Sequence, residues 1–323
     1  MQRIAVSAFF ALLACLVPLG QAHGQTYPSR PIHFIVIVAP GGGLDATARH
    51  LAARLSTRLG QQVIVENKVG AGGNIATQYV ARSAPDGYTL LLTSNGHTLN
   101  SLIYSTPGYD WQKDFVPVME ITEGPVVIVT QANSPYKTLK DVIDAARAKP
   151  GALSYAHGGL GLPPHIAMEM LNQAANVEIA NIPYKGAGPA LTDTLGGQVP
   201  LAILSLAGAT PHIEAGRLRA LASSGAARWP TLPNVPTIAE LGYPDVVYLN
   251  WQGVFAPAGT PPDIVARLQK EISAVLAEPE VKEFLIGIGA APVESNPTKF
   301  DAMLKADYLA NQKIVNKLKM KVD

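Results

Sequence analysis

The residues best suited to chemistry in this chain sit in two glycine-rich segments. The first is Val38-Ala39-Pro40-Gly41-Gly42-Gly43-Leu44-Asp45, between a β-branched apolar run and a helix-periodic stretch. Glycines there let backbone N–H groups point outward with no Cβ in the way. A helix start adds its unpaired N–H groups and about half a positive charge. Such a loop can seat an anion without lysine or arginine. Pro40, Gly41, Gly42, Gly43 and Asp45 are therefore expected at a ligand, the plainer alternative being a tight turn with Asp45 as a partner of the helix dipole. The second segment, Ala156-His157-Gly158-Gly159-Leu160-Gly161-Leu162-Pro163-Pro164-His165, repeats the pattern of strand, glycine loop and proline-led helix start. It adds His157, Gly158, Gly159, Gly161 and His165, so two anion seats could face each other across a cleft.

Other candidates are weaker signals. Ser94, Asn95 and His97, in Thr93-Ser94-Asn95-Gly96-His97, follow a strand, where small hydroxyl and amide groups suit carboxylate oxygens; a polar loop is the alternative. Lys185, in Pro183-Tyr184-Lys185-Gly186, lies beside a strand end and is either a ligand contact or a solvated charge. Gly70-Ala71-Gly72-Gly73-Asn74 reads as a structural turn, and Trp251 as hinge or core. No metal is expected: His157 and His165 are eight apart with no nearby Cys, Asp or Glu to complete a ligand set. Serine-hydrolase, zinc-protease, P-loop and C-x-x-C patterns are all missing. One enzyme pattern survives. Gly41-x-Gly43-x-x-Ala46 with Glu66 after the next strand matches a dinucleotide fingerprint, though Asp45 would repel the pyrophosphate. No cofactor is expected.

The elements that must position these loops alternate strand and helix. Ile32–Val38 reads as a strand and Leu44–Leu59 as a helix closed by Gly60, followed by strands at Val63–Val65 and Tyr88–Thr93 around a helix ending near Arg82. Further strands are expected at Val126–Thr130, Leu153–Ala156, Ile179–Ile182, Leu201–Leu204 and Leu218–Ser223. Thr138 with Asp141, Thr260 and Asn296 read as helix caps. This grammar predicts an α/β fold with parallel sheets. No flexible linker divides the chain, which points to two lobes joined by crossing strands near 115–130 and 246–255. Residues 25–125 and 247–323 would form one lobe and 126–246 the other, with a cleft at the strands' carboxyl ends.

Composition narrows the function classes. The 323 residues are 48% hydrophobic and only 15% charged, with 25 basic against 24 acidic side chains. That excludes a disordered chain and gives no basic stripe for nucleic acid. One cysteine, Cys15, precludes an internal disulfide framework. Met1–Gln25 has Arg3, an apolar run and Ala22-His23-Gly24, which reads as a signal peptide over residues 1–24. A membrane anchor and a lipobox around Cys15 are the alternatives. The expectation is an exported, monomeric periplasmic protein.

Several motifs in order carry a resemblance: Tyr27-Pro28-Ser29-Arg30-Pro31-Ile32, Pro40–Asp45, Val65-Glu66-Asn67-Lys68-Val69-Gly70-Ala71-Gly72-Gly73-Asn74, Pro85-Asp86-Gly87-Tyr88-Thr89-Leu90, Pro183–Gly186, Gly196-Gly197-Gln198-Val199 and Ala256-Pro257-Ala258-Gly259-Thr260-Pro261-Pro262. The chain resembles the periplasmic substrate-binding receptors of tripartite tricarboxylate transporters, the Bug receptors. The resemblance implies a two-lobed periplasmic binding fold of type II character. It also implies a small organic acid as ligand, held by backbone N–H groups and water on the loops at Pro40–Asp45 and His157–His165, and a membrane permease as partner. A sensory or orphan binding role would look the same. Members often carry Phe-Asp-Ser where this chain has Ile203-Leu204-Ser205, so Ser205 is carried over to the site, while Leu204 argues against an amino acid ligand.

Overall fold

The computed structural model describes residues 27–322. The expected export segment, Cys15 included, lies outside them. Strands β1 (Ile32–Val36), β2 (Val63–Asn67) and β3 (Thr89–Ser94) form a parallel set in the order β2-β1-β3. Helices α1 (Gly43–Leu59) and α2 (Asn74–Ala81) are the crossovers, and α3 (Gly96–Ile103) follows β3 directly. The buried stripe of α1, with Ala48, Leu51, Ala52 and Leu55, repeats every three to four residues, and left-handed Gly60 ends it.

β4 (Phe115–Gln131) is 17 residues long and belongs to both halves of the molecule. Its first part pairs antiparallel with β9 (Leu249–Pro257), which in turn pairs with β3. Its last part pairs with β7 (Leu201–Ser205) and β8 (Leu218–Ser223). The second half holds α4 (Leu139–Ala148), β5 (Ser154–His157), α5 (Pro163–Ala175), β6 (Ala180–Pro183), α6 (Ala187–Leu195) and α7 (Leu206–Glu214). There β7, β5 and β6 run parallel. The chain returns at β9, whose Leu249 pairs with Pro125 of β4.

Beside a smaller cluster around Val127, Ala202 and Leu204, two main cores confirm a two-lobed α/β fold. One gathers Phe34, Leu51, Leu91, Phe255, Ile272 and Phe300, and the other Val126, Ile143, Tyr155, Met168, Leu171 and Ile203. After β9 come α8 (Pro262–Leu276), α9 (Pro279–Gly287), the short β10 (Ala291–Pro292) and α10 (Pro297–Leu318). Helix α10 starts on the first core with Phe300 and Leu304 and ends on the second with Val315. Its cap is Asn296, whose side chain accepts from Lys299 N at 2.9 Å, and Thr138 and Asp141 form the full capping box on α4. Thr260 does not cap α8. Its hydroxyl donates to Pro257 O at 2.7 Å, and Pro261 takes the cap position.

Candidate functional site

The carboxyl ends of β1, β3, β5, β6 and β7 all open toward one cleft. A cavity of about 70 Å³ lies there, lined by Gly42, Gly43 and Leu44 from the first half and Gly158, Gly186–Gly188 and Ser205 from the second. At about 10–15 Å³ per water-sized group it holds roughly five such groups. Ser94, Leu204 and Asn250 complete much of the wall, and no lining side chain is charged.

Positive character comes from helix starts instead. Gly42 caps α1, so the N–H groups of Gly43, Leu44 and Asp45 lack intrahelical acceptors. Gly186 caps α6, which leaves Ala187 and Gly188 in the same condition. Ser205 stands at the cap of α7. Each terminus contributes about half a positive charge. With two serine hydroxyls and an amide, the arrangement suits an anion that accepts several hydrogen bonds.

The loop at Pro40–Asp45 is built by its acid, not opened by it. The Asp45 carboxylate accepts from Gly41 N at 3.0 Å, Asn67 Nδ2 at 2.9 Å and Arg49 Nε at 3.0 Å. Asn67 Nδ2 also reaches Val38 O at 2.9 Å. Burial alone would raise the Asp45 carboxyl, but the bonds from Arg49, Gly41 and Asn67 outweigh it and hold it below the usual carboxylate range. Pro40, Gly41 and Asp45, expected at the ligand, therefore shape the turn outside the cavity wall. Gly41 sits at φ +87°, a left-handed conformation that suits glycine.

The second seat differs from expectation more. Pro163 and Pro164 are the first two residues of α5 and carry no N–H, so that helix start offers little to an anion. His157 and His165 stack at 4.8 Å beneath the loop and are buried. Burial depresses His157 to about 4, and burial with the neighbouring His157 depresses His165 to about 3. Gly161 N donates to His165 Nδ1 at 3.2 Å and Gly159 N to His157 Nδ1 at 3.3 Å, so these groups hold the loop. Of this segment's candidates Gly158 reaches the cavity, while His157, Gly161 and His165 do not. The cavity-lining residues at a helix start that sequence reasoning missed are Ala187 and Gly188.

Two residues past β3 also move out of the site. His97 is fully buried among Tyr109, Phe115 and Phe255, and burial depresses it to about 3. The Asn95 side chain accepts from Trp251 N at 3.0 Å and donates to Leu249 O at 3.1 Å, so it pins β9 rather than a ligand. Trp251 packs edge-on to Phe300 in the core. Ser94 stays in the cavity wall. Gly159 and Lys185 line a neighbouring compartment of about 470 Å³ that shares Val38, Gly158, Leu162 and Gly186 with the cavity. Glu66, the acid of the dinucleotide pattern, pairs with His33.

Residues 47–320 match the family described as tripartite tricarboxylate transporter family receptor. The chain belongs to this family. BugT of Bordetella pertussis is 41% identical over 295 residues, covering 90% of this chain and 89% of BugT. Among solved structures of similar proteins, periplasmic binding protein BugD aligns with TM-score 0.88 at 36% identity, covering 91% of this chain and 99% of BugD. An R. palustris protein with adipate aligns with TM-score 0.89 at 36% identity, covering 91% and 99%. MatC from Rhodopseudomonas palustris with bound malate aligns with TM-score 0.85 at 32% identity, covering 90% and 100%. The tripartite tricarboxylate transporter receptors are binding proteins rather than an enzyme family. Among the described residues no helix is long and apolar enough to cross a membrane, and no group of three or more His, Cys, Asp or Glu could hold a metal.

Proposed function

We propose that this chain is an exported periplasmic receptor that captures a small organic carboxylate between two lobes and passes it to the permease of a tripartite transporter. Residues 25–125 with 247–323 form one lobe and 126–246 the other in this reading. The observation that carries it is the cavity between helix starts at Gly42–Leu44 and Gly186–Gly188, bounded by Ser94 and Ser205, with no charged side chain in its wall. A carboxylate satisfies both sets of amides at once. Contacts from the second set exist only when the lobes are together, and that differential affinity drives closure.

Micromolar affinity needs about −8 kcal/mol. Several charge-assisted hydrogen bonds at about 1.5–3 kcal/mol each supply this in a cavity closed to water. The solved relatives with adipate and with malate support an organic acid. Leu204 in the wall offers no counter-charge to an ammonium group, which favours a plain acid over an amino acid. The test is to denature the purified protein, identify released small molecules by mass spectrometry, and rank a panel of acids by thermal shift. An organic acid that is both released and stabilising is the expected result. A panel in which no carboxylate raises the melting temperature would sink the proposal.

A further inference from the structure

Two glycine motifs of the sequence take no part in the cavity between the helix starts. Neither Gly70-Ala71-Gly72-Gly73-Asn74 nor Gly159-Leu160-Gly161 lines it. They meet across the cleft instead. A Cβ on Gly72 would stand 3.2 Å from Leu160 O and 3.0 Å from Tyr104 Oη. A Cβ on Gly161 would stand 2.3 Å from Ile103 Cδ1 and 3.1 Å from Asn100 Oδ1. The missing side chains at these two positions let both loops and α3 come this close.

Helix α3 is the piece between the loops. Its Leu99 and Ile103 belong to the second core, although the helix follows β3 of the first. The Asn100 side chain reaches the other way. Its Nδ2 donates to Gly72 O at 3.0 Å and to Asn74 Oδ1 at 2.7 Å. Asn100 and Gly161 are buried, and neither lines the cavity or the larger compartment beside it. One amide thus ties a helix packed into the second core to a loop that follows β2 of the first.

We infer that this seam is a latch that holds the lobes shut, with Asn100 as its positioning residue, and that it sets the closed fraction of the protein before any acid arrives. The inference rests on the proposed capture by closure and adds what controls that closure. The amides at the helix starts choose the ligand, and Asn100 and Gly161 do not touch it. Apparent affinity scales with the fraction of molecules in the binding-competent form, so loosening the seam weakens every acid by one common factor. A side chain in contact with the ligand would weaken acids of different shape unequally.

The test combines small-angle X-ray scattering without ligand and calorimetry with succinate, glutarate and benzoate, on the wild type, Asn100→Ala and Gly161→Ala. Asn100→Ala removes the tie, and Gly161→Ala wedges the seam from the opposite loop, so each stands in if the other fails to fold. Without ligand, both variants should show a larger radius of gyration than the wild type. Each acid that binds should weaken by the same factor, about tenfold, or about 1.4 kcal/mol. A merely structural role would lower the melting temperature and leave the radius and the affinities alone, and that result overturns the latch. Losses that differ from acid to acid overturn it too, because they make the seam a ligand contact. Failure of every acid to bind the wild type overturns the carboxylate function, while the scattering without ligand still decides the latch.

Discussion

Gly158→Ala is the sharpest perturbation of the cavity. A Cβ at Gly158 would lie 3.0 Å from Ala187 N, 3.2 Å from Gly186 C and 3.4 Å from Ala187 Cα. All three are backbone atoms at the start of α6, and Gly186 N is already tied to Gly158 O at 2.9 Å. The start of α6 must therefore shift by a few tenths of an ångström, and the new methyl covers the Ala187 N–H. Loss of one charge-assisted hydrogen bond costs about 1.5–3 kcal/mol of binding, roughly 10- to 150-fold in affinity. Overpacking of this kind also costs about 1–3 kcal/mol of stability. Calorimetry with the acid identified from the purified protein measures the first quantity, and urea unfolding without ligand measures the second. An affinity within a factor of about two of wild type would refute the assignment of Ala187 as a ligand donor, whatever happened to stability.

Asp45→Ala should weaken acid binding and lower the melting temperature together, at a cost of about 1–3 kcal/mol, because Gly41 N and Asn67 Nδ2 lose their shared acceptor; a variant with wild-type affinity would show that the loop holds its shape unaided. Acid should unfold the protein early. Burial depresses His97 to about 3, His157 to about 4 and His165 to about 3 from 6.5, so the unfolded chain takes up protons that the folded chain refuses. Their stabilising share is complete above the unfolded value and falls as pH drops from 6.5 toward those depressed values, by up to about 1.4 kcal/mol per pH unit for each histidine. Urea titrations across this window should show it against the opposite pull of Glu120, which burial raises to about 7, and His97→Phe should lessen the slope; an unchanged slope would contradict the aromatic burial of His97. Finally, Gly253→Ala should melt several degrees lower, since its Cβ would stand 2.2 Å from the buried Phe300 ring; a wild-type melting curve would mean that Phe300 can give way.

Periodicity and punctuation located most elements because local chemistry decides them. Leu139–Ala148 announces itself through Thr138 and Asp141, and Gly60 through the left-handed turn that follows α1. Helix α3 is hidden because β3 runs straight into it at Asn95-Gly96, a pair that otherwise marks a turn. The first seat was readable from Gly42 and Gly43 as a strand–glycine–helix junction. Pro163 and Pro164 were readable too, as residues without N–H, yet the loop before them matches an anion seat by its glycines. The proposed donors Ala187 and Gly188 follow Gly186, where the same strand–glycine–helix signal exists and Lys185 disguises it. For His97 no local signal exists, because Phe115 and Phe255 reach it from strands remote in sequence.

A wall of peptide amides and hydroxyls contains nothing that ionises in the physiological range. Grip on the ligand carboxylate should therefore hold constant from neutral into mildly alkaline surroundings, where a histidine clamp would slacken. Reagents that modify amines or guanidinium groups should leave that contact untouched. For a receptor of the proposed kind in the periplasm, which follows the acidity of the medium outside, a clamp made of main chain would let occupancy report how much metabolite is present rather than how sour the water is.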